Sequence, residues 1–121
     1  MSQPATILLV DDSRASRMLC AAVMRGQRPG IQLLEAGDGA SAIALLEDVD
    51  NDLAVLDMNM PGISGMELAE RLRVSHPGMK LAFLTANLQE AVQIRAAALG
   101  VHFLRKPIGE AVIADILALL E

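Results

Sequence analysis

Leu53-Ala54-Val55-Leu56-Asp57-Met58-Asn59-Met60-Pro61-Gly62 is the stretch that decides the fold. Its four opening apolar residues run without polar alternation into a lone carboxylate, and Pro61-Gly62 then turns the chain. An unbroken apolar run suits a strand covered on both faces, as the strands of parallel sheets are, and the Pro-Gly pair marks the exit from the sheet. Asp57 is therefore expected at the carboxyl end of a buried strand. In open α/β sheets that edge is where ligands bind.

The rest of the chain has to cover that strand. At 121 residues it is long enough for one domain with a real core and too short for two, so residues 1–121 are read as a single domain. A hydrophobic fraction of 53% excludes disorder, and an aromatic fraction of 2% leaves the core to Leu, Ile, Val, Ala and Met. The net charge of −5 and pI near 4.9 argue against direct nucleic-acid binding, because phosphate contacts need clustered Lys and Arg. An acidic chain can still hold a cation. Cys20, the single cysteine, allows no internal disulfide and fits a reducing compartment. Met1 to Thr6 lack the charged and apolar regions of a signal peptide, and no apolar run approaches a membrane span. The expected location is cytoplasmic, with no membrane partner.

Five apolar runs alternate with five stretches of helical period, the pattern of repeated βα units and a parallel sheet. The expected strands are Thr6 to Val10, Ile31 to Glu35, the opening stretch, Lys80 to Leu84, and Val101 to Leu104. The first helix runs from Arg14 to Arg25 with Ser13 as N-cap, and the second follows Asp38-Gly39 through Ala42, Ile43 and Leu46 towards Glu47. Ser64 and Glu67 give a capping box for a helix from Gly65 to Val74. A fourth helix, Leu88 to Leu99, stops at Gly100, and the last runs from Glu110 to Leu120. The three unbroken runs should be interior strands, whereas Gln32 and His102 mark strands two and five as edges. With right-handed crossovers the simplest order is 2-1-3-4-5, a doubly wound five-stranded sheet whose switch point lies between strands one and three.

That order brings Asp11, Asp12, Asp57, Thr85 and Lys106 to one sheet edge, although they span most of the sequence. Three carboxylates in one cleft raise each other's pKa, and one Lys neutralises only part of the excess. A hard divalent cation is implied. All-oxygen ligation with room for water favours Mg²⁺, and neither His nor Cys is placed for a zinc site. A cation beside an Asp, a Lys able to pair with anionic oxygens and a Thr hydroxyl is the equipment of phosphoryl transfer. Asp57 is the candidate nucleophile, and the pair Asp11-Asp12 is better suited to hold metal. Taken singly, each residue has a commonplace reading as a helix cap, a loop hydrogen bonder or an exposed Lys. Their joint placement on one edge is what argues for function.

At these residues the sequence resembles the receiver domain of two-component response regulators, of the chemotaxis-regulator-like kind, over essentially the whole chain. The resemblance rests on Ile7-Leu8-Leu9-Val10-Asp11-Asp12-Ser13, on Asp57-Met58-Asn59-Met60-Pro61-Gly62 with Ser64-Gly65, on Leu84-Thr85-Ala86, and on Gly100 leading into Phe103-Leu104-Arg105-Lys106-Pro107. It implies a flavodoxin-like fold and a signalling switch rather than an enzyme, with only weak intrinsic autophosphorylation and dephosphorylation. It also implies that Asp57 accepts a phosphoryl group from the phosphohistidine of a sensor kinase or histidine phosphotransfer protein. Asp12, Asp57 and the backbone carbonyl of Asn59 would hold Mg²⁺, with Asp11 acting largely through water. Lys106 would pair with phosphoryl oxygens, Thr85 would bond one of them after transfer, and Phe103 would be the aromatic switch. Similarity further implies a cis Lys106-Pro107 bond, which proline permits. The last helix, strand five and the preceding helix would form the face for an output domain, a target protein or phosphorylation-linked homodimerisation.

The competing enzyme reading is a Mg²⁺-dependent phosphohydrolase of Rossmann-like fold. Its Asp-x-Asp motif after strand one is not matched by Asp11-Asp12-Ser13. Several residues outside the edge carry narrower expectations. His76 and His102 are read as solvent-facing, Cys20 and Met24 as packing or partly exposed, and Arg14, Arg17 and Arg25 as one solvated helix arc beside the acidic cleft. Asn59 and Asn87 are expected to flank the phosphoryl group and influence its hydrolysis. On the last helix the apolar residues spread over about 160°, wider than a helix on a sheet needs, so Leu117 or Leu119 should stay partly exposed. Surplus apolar surface there would serve association, with Leu117→Glu as its probe.

Overall fold

The computed structural model describes residues 4–86 and 89–121. Its elements are β1 (Thr6–Val10), α1 (Arg14–Gln27), β2 (Gln32–Ala36), α2 (Gly39–Asp48), β3 (Leu53–Leu56), α3 (Gly65–Ser75), β4 (Lys80–Thr85), α4 (Glu90–Ala98), β5 (His102–Arg105) and α5 (Glu110–Ala118). The strands are all parallel and lie in the order β2-β1-β3-β4-β5. This is the flavodoxin-like doubly wound sheet expected from the apolar runs. Every residue of β1 and β3 is buried, and so is β4 after Lys80, whereas β2 and β5 expose residues at both sheet edges.

Alternation along each interior strand feeds two cores. Leu8, Val10, Ala54, Leu56, Leu81 and Phe83 face α2, α3 and α4, burying Ala42, Leu46, Leu68, Leu72 and Ala96 with them. Ile7, Leu9, Leu53, Val55, Ala82 and Leu84 face α1 and α5, where they meet Cys20, Met24, Ile113, Ile116 and Leu117. Each strand residue thus belongs to one layer or the other by its parity, as the period of two requires.

Element ends shift by a residue or two, each for a local reason. The Ile31 amide donates to the Arg28 carbonyl (3.2 Å) in the turn after α1, so β2 starts at Gln32 and reaches Ala36. At the end of α4, Gly100 adopts φ +71°, with the Gly100 amide donating to the Ala97 carbonyl (3.0 Å) and the Val101 amide to the Ala96 carbonyl (2.9 Å). That Schellman closure takes Val101 away from the sheet, and β5 begins at His102. The expected start of this helix at Leu88 lies outside the described residues. Ser13 caps α1 through the Ser16 amide (3.2 Å), and Ser64 caps α3 through the Glu67 amide (3.2 Å). The Glu67 carboxylate turns to Arg71 (3.3 Å), so the capping box is only half formed.

Three narrower expectations need correction. Of the two marginal residues, Leu119 keeps partial exposure as expected, but Leu117, chosen as the probe, is buried at 4% exposure against the second core. Leu117→Glu would therefore disrupt the core rather than probe a surface. His76 is half-buried, with Nδ1 2.7 Å from Ser75 Oγ and Nε2 3.4 Å from the Leu46 carbonyl. Arg17 leaves the solvated arc and turns inward, with its side chain 16% exposed, to meet Glu35 and the Asp11 carbonyl. Cys20 and Met24 are both in the core, which agrees with their reading as packing residues. His102 is exposed as expected, and among the described residues no helix is long and apolar enough to cross a membrane.

Candidate functional site

The site is assembled by strand register. Val10 pairs with Leu56, so the next residues, Asp11 and Asp57, leave the sheet side by side. The Asp57 amide still donates to the Val10 carbonyl (2.8 Å), and the Asp11 amide to the Ala36 carbonyl (3.1 Å), which holds both backbones to the sheet's rim. Thr85 pairs with Arg105, and the Lys106 amide donates to the Thr85 carbonyl (3.0 Å), which brings β4 and β5 to the same rim. The Lys106-Pro107 bond is cis, as the resemblance implied.

Asp11, Asp12 and Asp57 each offer a carboxylate oxygen within 4.8 Å of the others. Lys106 Nζ lies 3.1 Å from Asp11 Oδ2 and 3.8 Å from Asp57 Oδ1. The other Asp11 oxygen accepts from the Ser13 amide (2.9 Å). Asp12 is exposed and makes no bond to a described residue, while Thr85 is fully buried at the rim. Burial first, then the charge of Asp11, raise the Asp57 carboxyl above its ordinary value, and Lys106 offsets only part of this. Three carboxylates facing one ammonium leave an excess of negative charge in a partly desolvated cleft. The donor set is all oxygen and open on the Asp12 side, which fits a hard divalent cation such as Mg²⁺.

The loop after Asp57 shows a requirement that composition alone does not display. A Cβ on Gly65 would stand 2.1 Å from the Asp57 carbonyl oxygen and 2.8 Å from Met58 Cα. The Gly65 amide donates to the Met58 carbonyl (3.0 Å), closing the loop so tightly that α3 begins against the backbone of the nucleophile candidate. Gly65 was legible only as part of a motif, since nothing in its own conformation demands glycine. Phe103 is half-buried on β5, paired with Phe83 and packed on the first core. Asn59 is exposed in the β3–α3 loop, and Asn87 lies outside the described residues. Cys20 lines a small cavity beneath Asp11 and Asp57 with Ser16, Arg17 and Ile108. Burial, followed by the charge of Asp11, pushes its thiol up to about 12, so it stays protonated and inert.

The family model described as the response regulator receiver domain matches residues 7–118. The chain is 36% identical over 122 residues to the probable transcriptional regulatory protein TcrX of Mycobacterium tuberculosis, covering 98% of this chain and 50% of that protein. It is 39% identical over 92 residues to the nitrate/nitrite response regulator NarL of Escherichia coli K12, covering 74% of this chain and 42% of NarL. The chain thus spans about half the length of these curated relatives. Among solved structures, the chemotaxis protein CheY4 of Vibrio cholerae superimposes with a TM-score of 0.88 at 24% identity, over 98% of this chain and 99% of that one. Sheet order, the acidic rim and the match over nearly the whole length agree: this chain belongs to the response regulator receiver domains of two-component systems.

Proposed function

We propose that the chain is a phospho-acceptor switch in which Asp57 takes a phosphoryl group from a phosphohistidine on a partner protein. The observation that carries this reading is the rim itself, three carboxylates within 4.8 Å of one another with Lys106 3.8 Å from Asp57. In the transfer, an Asp57 carboxylate oxygen attacks phosphorus. The new O–P bond forms as the N–P bond to the donor imidazole breaks, and the imidazole leaves with a proton from solvent. Lys106 supplies a positive charge that can follow the phosphoryl oxygens, and the Thr85 hydroxyl is the group at the rim suited to bond one of them afterwards. A Mg²⁺ held by Asp12, Asp57 and the Asn59 backbone carbonyl, with Asp11 reaching it through water, would neutralise charge between carboxylate and phosphoryl group. Asp57 is the better nucleophile because Asp11 is already committed on both oxygens, to Ser13 and to Lys106. The same fact weighs against a hydrolase with its nucleophile after β1.

Phosphorylation would act by shifting the population between two packings of Thr85 and Phe103. The readout face is α4, β5 and α5, where Ile94 is 61% exposed and Leu119 half-buried, and its partner would be an output domain, a target protein or a second copy. Residues 1–121 would form one such unit in the cytoplasm, facing a sensor histidine kinase or phosphotransfer protein. Acetyl phosphate with Mg²⁺ should add one phosphoryl group by intact-protein mass spectrometry. Labelling that survives in Asp57→Asn or in excess chelator would overturn the assignment. Asp12→Ala should lose metal affinity, whereas Lys106→Ala should keep it and lose phosphorylation efficiency.

A further inference from the structure

The geometry points to Arg17 as a positioning residue that aims Asp12 at the cation site, an inference that rests on the function proposed above. Asp11 is held at every polar atom. Its amide donates to the Ala36 carbonyl, its two carboxylate oxygens accept from the Ser13 amide and from Lys106, and its carbonyl accepts from Arg17 Nη1. Asp12 has no such partner among the described residues and is exposed. The carbonyl that Arg17 grips belongs to the peptide joining Asp11 to Asp12, so the orientation of that plane sets the direction in which Asp12 leaves the backbone. Arg17 is itself fixed from the other side, because Nε lies 3.1 Å from Glu35 Oε1 at the end of β2. The guanidinium also lies beside Gly37, just beyond β2, where a Cβ would stand in ordinary van der Waals contact with Nη1 at 3.5 Å. The planar guanidinium thus spans α1, β2 and the β1–α1 loop, a bridge that a single ammonium does not reproduce.

This role predicts a sign opposite to plain electrostatics. Removing a positive charge from beside an acidic site should tighten cation binding by Coulomb's law. Loss of the brace should instead loosen it, because partners that orient a ligand from behind matter for metal affinity. Mg²⁺ titration of the full chain, followed by amide shifts in ¹H–¹⁵N spectra, reads the affinity, and thermal unfolding in chelator reads the fold. Arg17→Ala is expected to weaken Mg²⁺ binding about tenfold while melting cooperatively in chelator. Should alanine fail to fold, Arg17→Gln, which keeps more of the stem but cannot reach the carbonyl, takes its place under the same criteria. Arg17→Lys, which keeps the charge and one donor, is expected to fall between the alanine variant and the wild type. A folded Arg17→Ala or Arg17→Gln with affinity equal to or tighter than wild type overturns the inference alone, as does a lysine variant weaker than alanine. A wild type that shows no Mg²⁺ response overturns the proposed function together with this inference.

Discussion

The two rims of one sheet treat their carboxylates in opposite ways. At the amino rim Asp52 is stitched into the fold. Its Oδ2 accepts from the Thr6 amide (2.8 Å), its own amide donates to the Thr6 carbonyl (2.9 Å), and its carbonyl accepts from the Lys80 amide (3.2 Å). Lys80 Nζ in turn donates to the Leu119 carbonyl at the end of α5, and Arg28 reaches Glu121 at 3.2 Å. At the carboxyl rim Asp11, Asp12 and Asp57 crowd within 4.8 Å, with Lys106 as the ammonium between two of them. One rim spends its polar groups on holding β1, β3 and β4 together. The other keeps a charge conflict that folding alone does not relieve, which is how binding sites differ from the structure that carries them.

Gly65→Ala should have the largest effect, because its Cβ would overlap the Asp57 carbonyl at 2.1 Å and the atoms opposing it are backbone. The expected cost is about 3 kcal/mol or more in urea unfolding, with loss of Mg²⁺ binding. A fully stable, Mg²⁺-competent alanine variant would show that the carboxyl rim is not built on that close approach. Asp52→Ala tests the other rim. It should cost about 1–2 kcal/mol by leaving the Thr6 amide without its acceptor, by the same amount with and without Mg²⁺.

Asp57→Asn should do the reverse of Asp52→Ala. The folded state holds the Asp57 proton more tightly than the unfolded chain does, so stability falls as pH rises from the ordinary carboxylate value through the raised one. The penalty is then present throughout neutral pH and absent below the ordinary value. Without divalent cation, the asparagine variant should therefore be more stable than wild type at neutral pH. The gain should vanish at about pH 3, where both carboxyl states are protonated. A variant less stable than wild type at neutral pH would remove the contrast between the rims. The smallest effect belongs to Lys80→Met, expected to cost about 0.5 kcal/mol through the exposed cap on α5.

What the sequence made legible follows the same division. The apolar runs Ile7-Leu8-Leu9-Val10, Leu53-Ala54-Val55-Leu56 and Leu81-Ala82-Phe83-Leu84 announce burial on both faces, and with Gln32 and His102 they yield the strand order. The candidate site residues lie just past strand ends, so the order also brings Asp11, Asp57 and Lys106 together. Long-range partners of surface-looking residues were not legible. Arg17 shares a helix arc with Arg14 and Arg25, and nothing local distinguishes the one that turns inward to Glu35, 18 positions away. Leu117 and Leu119 both sit at the margin of a wide apolar arc, and only Leu117 is buried against the second core. His76 likewise occupies a turn sequence, yet it reaches back to α2 through Leu46.

The most direct test of the contrast is thermal unfolding of the wild type at neutral pH across a Mg²⁺ titration, run beside Asp57→Asn and Asp52→Ala. A cation that binds the folded chain and relieves the carboxyl rim should raise the wild-type Tm with concentration. The rise should be the same in Asp52→Ala and largely absent in Asp57→Asn, which starts higher without Mg²⁺. A wild-type Tm indifferent to Mg²⁺, or an Asp57→Asn variant that responds as fully as the wild type, would contradict the account.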